Sequence, residues 1–172
     1  MSKYDLYGCV YLIECLETGR VKIGKSKNVK NRFENLSISS PTNLFIYYVS
    51  PPIFKYSKLE RQLHAKYQST KYKGEWFTIN KKEAKEFIEL MCEKEETYEV
   101  YDMYRKGLNP SQISEALDVS RNNIVRHLSY WNIKPSDKDV DIVKSSDNGK
   151  YLSNERLREM VNNSKKKRLN KS

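Results

Sequence analysis

Gly8-Cys9-Val10-Tyr11-Leu12-Ile13, then Val21-Lys22-Ile23-Gly24-Lys25-Ser26 after a short gap, then Arg32, is the stretch whose reading decides the fold. Residues 7–14 are rich in β-branched and aromatic types, Thr18-Gly19 is a turn signal, and residues 20–24 form a second such run. This predicts an antiparallel hairpin. Along its first strand Cys9, Tyr11 and Ile13 share one face while Val10 and Leu12 share the other, because side chains alternate. Both faces are largely apolar, so helices are expected to cover much of the sheet.

Working outward, Gly24 ends the second strand, Ser26 or Asn28 can cap a helix, and Val29, Phe33 and Leu36 recur at helical spacing. Arg32 lies beside that stripe and can reach back over the hairpin toward Tyr11 and Lys22. Residues 44–49 read as a third strand, stopped by Pro51-Pro52. Ser57-Lys58-Leu59-Glu60 has the pattern of a capping box and opens a second helix, on which Glu60 and His64 share a face. A polar turn leads to a short last strand within residues 74–79. A helix from Lys81 or Lys82 to Cys92 then turns Ala84, Phe87, Ile88 and Met91 inward.

Residues 93–99 are charged with little to bury, which reads as a linker or as the solvated start of the next helix. Beyond them Val100, Met103 and Tyr104, then Ile113, Ala116 and Leu117, then Ile124, Val125 and Leu128 mark three short helices. The tight break at Asp118-Val119 before the third makes this the arrangement of a helix-turn-helix. Ser120 caps the third helix, placing Arg121, Asn122, Asn123 and Arg126 on its exposed N-terminal half; these are side-chain types that pair with guanine or adenine edges. The expected fold is therefore α/β in the broad sense (α+β). A small, mostly antiparallel sheet of three or four strands is flanked by helices over residues 1–92, with a small all-α domain over residues 93–134. Residues 135–172 read as a polar, basic segment, with Leu152, Leu157, Met160 and Val161 as a weak amphipathic helix and a lysine-rich end.

Charge narrows the partners. Lysine and arginine outnumber aspartate and glutamate 32 to 22, a net +10, so a polyanion is the default partner, with nucleic acid ahead of an anionic membrane surface. No stretch approaches the ~20 apolar residues that span a bilayer, and the first residues lack the apolar core of a signal peptide. The expectation is a soluble, cytoplasmic protein, in the host cytoplasm if the source is viral. Cys9, Cys15 and Cys92 are odd in number and lack metal-ligand spacing, which predicts reduced, buried thiols.

Hydrolysis of a phosphodiester needs a base for water, cations for the charge of the transition state and usually a divalent metal. Tyr11 is a candidate base if nearby cations lower its phenol pKa. Lys22 and Arg32 are candidate charge stabilisers, and Glu60 is a hard oxygen ligand suited to Mg²⁺ or Mn²⁺. His64, on the same helix face as Glu60, is a candidate catalytic residue that orients the site. Each has a plainer reading: Tyr11 as core, Glu60 as the third helical position of a capping box, and His64 as a local hydrogen-bond partner. Lys25, Lys27 and Lys30 are either contacts to flanking phosphates or a solvated face.

The ordered set Gly-x-Val-Tyr-Leu-Ile, Val-Lys-Ile-Gly-Lys-Ser, Arg32, Leu59-Glu60-x-x-Leu63-His64 and Gly74-Glu75-Trp76-Phe77 resembles the GIY-YIG nuclease superfamily over about residues 7–92. It looks closest to the branch, common in phages and large DNA viruses, in which lysine replaces the second signature tyrosine. The resemblance implies that Tyr11 is the general base, that Lys22 assists the same proton transfer and that Gly24 lets the phosphate approach. It also implies that Arg32 contacts the scissile phosphate, that Glu60 is the sole acidic metal ligand and that Asn80 is the asparagine closing the site. The expectation is a metal-dependent endonuclease on double-stranded DNA that nicks one strand per monomer, a double-strand break needing a homodimer on DNA or a second visit. The alternatives are a DNA-binding regulator whose nuclease site has decayed at Lys22, and an RNA-binding protein.

Overall fold

The computed structural model describes residues 3–131, 133–135 and 140–142. The predicted hairpin is its centre: β1 (Cys9–Cys15) runs antiparallel to β2 (Val21–Ser26), with Tyr11 opposite Gly24 and Ile13 opposite Lys22. After α1 (Val29–Ser39), β3 (Leu44–Val49) returns antiparallel along the other side of β1. Following α2 (Tyr56–Lys66), β4 (Lys71–Lys73) and β5 (Trp76–Phe77) complete an antiparallel sheet in the order β3-β1-β2-β5-β4. The sheet has five strands rather than the expected three or four. The added edge strand, Lys-Tyr-Lys, has all three residues exposed and carries no alternating apolar pattern to announce it.

Helices cover both sheet faces, as alternation along β1 requires. On one face Val10, Leu12, Val21, Ile23 and Phe77 pack with Leu59 and Leu63 of α2 and with Ala84 and Ile88 of α3 (Lys81–Cys92). On the other, Cys9, Tyr11 and Ile13 pack with Val29 of α1 and with the helices α4 (Glu99–Arg105), α5 (Pro110–Leu117) and α6 (Arg121–Tyr130). Residues from Tyr4 to Trp131 thus share one apolar cluster. Residues 93–98, read from sequence as a linker or a solvated helix start, are pinned to the sheet edge. Phe54 N–H donates to the Glu96 carbonyl, Tyr98 N–H donates to the Pro52 carbonyl, and the Tyr98 ring meets Tyr4, Tyr7 and Trp131 edge-on or tilted. Their backbone groups and one aromatic hold this segment where its charged side chains gave no sign of burial.

The three C-terminal helices form, with the break at Asp118 and the cap at Ser120 where they were expected. Asn109 and Gln112 make a reciprocal capping box at the start of α5, Asp118 takes the left-handed conformation that ends it, and the Ser120 hydroxyl accepts from the Asn123 N–H to start α6. A short ladder pairs β6 (Ile133–Pro135) with β7 (Val140–Ile142). The helix expected around Leu152, Leu157, Met160 and Val161 and the basic tail lie outside the described residues. Among the described residues no helix is long and apolar enough to cross a membrane.

Candidate active site

Tyr11 stands at the centre of the sheet, 1% exposed, with its ring lying over Gly24 of the neighbouring strand. A Cβ at position 24 would come within 2.4 Å of the ring carbon bearing the hydroxyl. The space the glycine leaves open is therefore filled by the tyrosine itself, where the sequence reading had a phosphate. Asn28 starts α1 by accepting from the Asn31 N–H, and one turn in, Arg32 reaches back as expected: its Nε–H donates to the Tyr11 hydroxyl at 3.3 Å. Arg32 is exposed, and the four N–H groups on its terminal nitrogens are of the kind that bind phosphate oxygens.

The condition attached to Tyr11, a phenol pKa lowered by nearby cations, is not met. Burial pushes the Tyr11 hydroxyl above its ordinary range; Arg32 pulls it down, Glu75 and Glu60 push it up, and the net direction is upward. Desolvation outweighs the one cation in contact, so Tyr11 rests as a neutral phenol.

Lys22 lies two residues from Gly24 on the same sheet face and is buried. Its ammonium is in an ion pair with Glu75 and lies 5.9 Å from the centre of the Trp76 ring. Burial raises the Glu75 carboxyl, but the Lys22 hydrogen bond and charge, with His64 and Arg32 behind them, hold it below the usual carboxylate range. Glu75 was quoted only as part of a motif in the sequence. Its place beside Lys22, set by pairing of β5 with β2, makes it a member of the site.

Glu60 is not a helix cap. The second helix begins one residue before Ser57, at Tyr56, and Lys55 at its N-cap makes no side-chain capping bond, so the Ser-x-x-Glu pattern lies inside the helix. The Glu60 carboxylate is buried and turned to β2, 3.3 Å from Lys25 Nζ and 3.6 Å from His64 Nε2. His64 Nε2 also lies 2.9 Å from the Ile23 carbonyl, the local hydrogen bond that was one of its two readings. Lys25 therefore sits on the candidate metal ligand, while Lys27 is half-buried and Lys30 exposed. Asn80 caps α3, its side-chain oxygen accepting from the Lys82 and Glu83 N–H groups.

The surface of α6 is a second cationic feature. Arg121, Asn122 and Arg126 are exposed, Asn123 is half-buried, and Arg126 donates to the Asn123 side-chain oxygen at 2.9 Å. The opposite face of the helix buries Ile124, His127 and Leu128.

Among the described residues no group of three or more His, Cys, Asp or Glu side chains is arranged to hold a metal ion. A magnesium ion usually takes one or two carboxylates and fills its other positions with water and phosphate oxygens. A single buried carboxylate, Glu60, fits that mode if the ion, with twice the charge, takes the place of the Lys25 ammonium.

The α+β domain thus gathers a tyrosine, an arginine, two carboxylate–lysine pairs and a histidine about one sheet. Residues 8–92 match the family model described as the T5orf172 domain, a GIY-YIG-like, nuclease-related domain. No curated protein and no solved structure matches the chain.

Proposed function

We propose that this protein is a metal-dependent DNA endonuclease that cuts one strand of double-stranded DNA per visit and is delivered to the duplex by helices α4 to α6. The observation that carries the reading is the hydrogen bond from Arg32 to Tyr11, with Lys22 nearby and a buried carboxylate, Glu60, held at the same sheet. Arg32 binds the scissile phosphate with its terminal N–H groups and holds the Tyr11 oxygen with its Nε. Lys22 and Lys25, now paired with Glu75 and Glu60, supply further positive charge as the phosphate enters. Glu60 would hold Mg²⁺ or Mn²⁺, which when bound supplies a further positive charge to the phosphate oxygens.

Tyr11 accepts a proton from water only as the phenolate. Burial holds its pKa above the ordinary phenol range, so that form is scarce at neutral pH. The base is therefore scarce but strong, and Arg32 stabilises it where it forms. One centre per chain cuts one strand; a double-strand break requires a second copy or a second visit. Arg121, Asn122, Asn123 and Arg126 of α6 face the duplex, in the manner of a helix-turn-helix.

A second reading, a DNA-binding regulator with no cleavage, is favoured by the pairing of both lysines with the site's carboxylates. Nicking of supercoiled plasmid by wild type and Glu60→Ala, each with Mg²⁺, Mn²⁺ or EDTA, separates the two. Nicking by the wild type alone, abolished by EDTA, supports the nuclease; tight duplex binding with no nicking in either metal supports the regulator.

A further inference from the structure

The sheet face that carries Tyr11 and Lys22 continues past them. Tyr11, Ile13 and Cys15 alternate onto it, and at its end Cys15 N–H closes the hairpin on the Arg20 carbonyl at 2.9 Å. There a pocket of about 240 Å³ opens, lined by Cys15, Thr18, Arg20, Thr42, Tyr72 and Trp76 among others. Trp76 belongs to both places: it lines the pocket and also carries the Lys22 ammonium over its ring. Cys15 lies four residue steps along the strand from Tyr11, about 13 Å at the usual rise, or at most about four nucleotides of a stacked strand.

Tyr72 is the unexplained residue here. It lies on the outermost strand and is 60% exposed, yet the Arg20 guanidinium sits 3.5 Å from its ring centre. Core packing does not account for an exposed aromatic kept flat by an arginine, beside a half-buried tryptophan and a few hydroxyls. That set is suited to a nucleobase: aromatic and guanidinium planes stack on it, and Thr18 and Thr42 offer hydroxyls to its edge. Lys71 and Lys73, exposed on either side of Tyr72, suit the adjoining phosphates.

Resting on the nuclease reading, the geometry points to a pocket for one unstacked base of the strand held at Arg32. The substrate is then DNA with an unpaired base within a few nucleotides of the cut, in preference to a perfect duplex. The test is binding of the full chain, in EDTA, to a duplex carrying 2-aminopurine in a short single-stranded gap and to the same duplex fully paired. The wild type binds the gapped DNA more tightly and changes its 2-aminopurine fluorescence. Tyr72→Ala weakens gapped binding about ten-fold and paired binding less than two-fold, Tyr72→Phe keeps the preference, and Arg20→Ala loses part of it. An equal loss on both DNAs, or no loss on either, overturns the pocket, as does a single-stranded RNA that competes better than the gapped DNA. EDTA withholds the metal that the proposed cleavage needs, so these binding outcomes are read separately from the nicking assay. A base-reading protein that never nicks would sink the nuclease reading alone, and a nicking protein indifferent to Tyr72 would sink the pocket alone.

Discussion

Replacing Gly24 by alanine is the perturbation that probes the centre of the site most sharply. A methyl group there would lie 2.4 Å from two atoms of the Tyr11 side chain, far inside contact distance. The ring cannot swing into solvent, since it is 1% exposed and its hydroxyl is held by Arg32. Overpacking a filled core costs about 1–3 kcal/mol, against a gain of about 0.4–1 kcal/mol from the stiffer unfolded chain; the middle of these ranges leaves a net loss of about 1–2 kcal/mol. In a chain of this size that lowers Tm by about 2–8 °C, measured by thermal or urea unfolding followed by circular dichroism. The loss arises from one ring, so Gly24→Ala should cost almost nothing in a Tyr11→Ala background, although Tyr11→Ala alone costs about 3–5 kcal/mol. Additive losses in the double-mutant cycle, or a neutral Gly24→Ala, would refute the reasoning that the glycine exists to admit the tyrosine.

Three further outcomes follow from the groups around the core. Because burial raises the Tyr11 phenol, the nicking rate should climb about ten-fold per pH unit from pH 6 to 9, whereas a plateau below pH 8 would mean another base. Burial, with Arg126 adding to it and Asp5 opposing it, depresses His127 to about 4, so the neutral ring stabilises the fold. That contribution, up to about 3 kcal/mol, is complete above pH 6.5 and is lost as pH falls toward 4, and His127→Gln should flatten the acid limb of a stability–pH curve. Burial also raises the Cys15 thiol, but hydrogen bonds with Thr18 and Thr42 outweigh it and bring it below its ordinary value. Cys9 and Cys92 are instead pushed up, Cys92 to about 12. Iodoacetamide at pH 7.5 should therefore alkylate Cys15 first, read by peptide mass spectrometry.

Much of this architecture was legible because it rests on local rules. Alternation along residues 9–13 placed Tyr11 on one face, and helical spacing placed Arg32 beside the stripe of Val29, Phe33 and Leu36, which was enough to bring arginine and tyrosine together. What was not legible depends on side-chain direction between elements. Ser57 to Glu60 has the letters of a capping box, but helix α2 starts at Tyr56, and that one-residue offset turns Glu60 from the helix end toward β2 and Lys25. Glu75 gave no signal of its own, because its partnership with Lys22 exists only once β5 pairs with β2. The direction of the phenol pKa was not legible for a related reason: cations can be counted in a sequence, whereas desolvation appears only when the ring is packed. Residues 93–98 looked solvated from their glutamates, yet their backbone is hydrogen-bonded to the segment after Pro51.

The measurement that bears most directly on the central claim is plasmid nicking by Tyr11→Phe beside wild type, with Mg²⁺ or Mn²⁺ present and duplex affinity measured in parallel. The substitution keeps the ring over Gly24 and removes only the oxygen that Arg32 holds. Duplex affinity should stay within two-fold of wild type while the nicking rate falls by about 10²–10⁴. Nicking by Tyr11→Phe at the wild-type rate would show that the hydroxyl is a packing detail and that the reaction, if any, is carried out elsewhere.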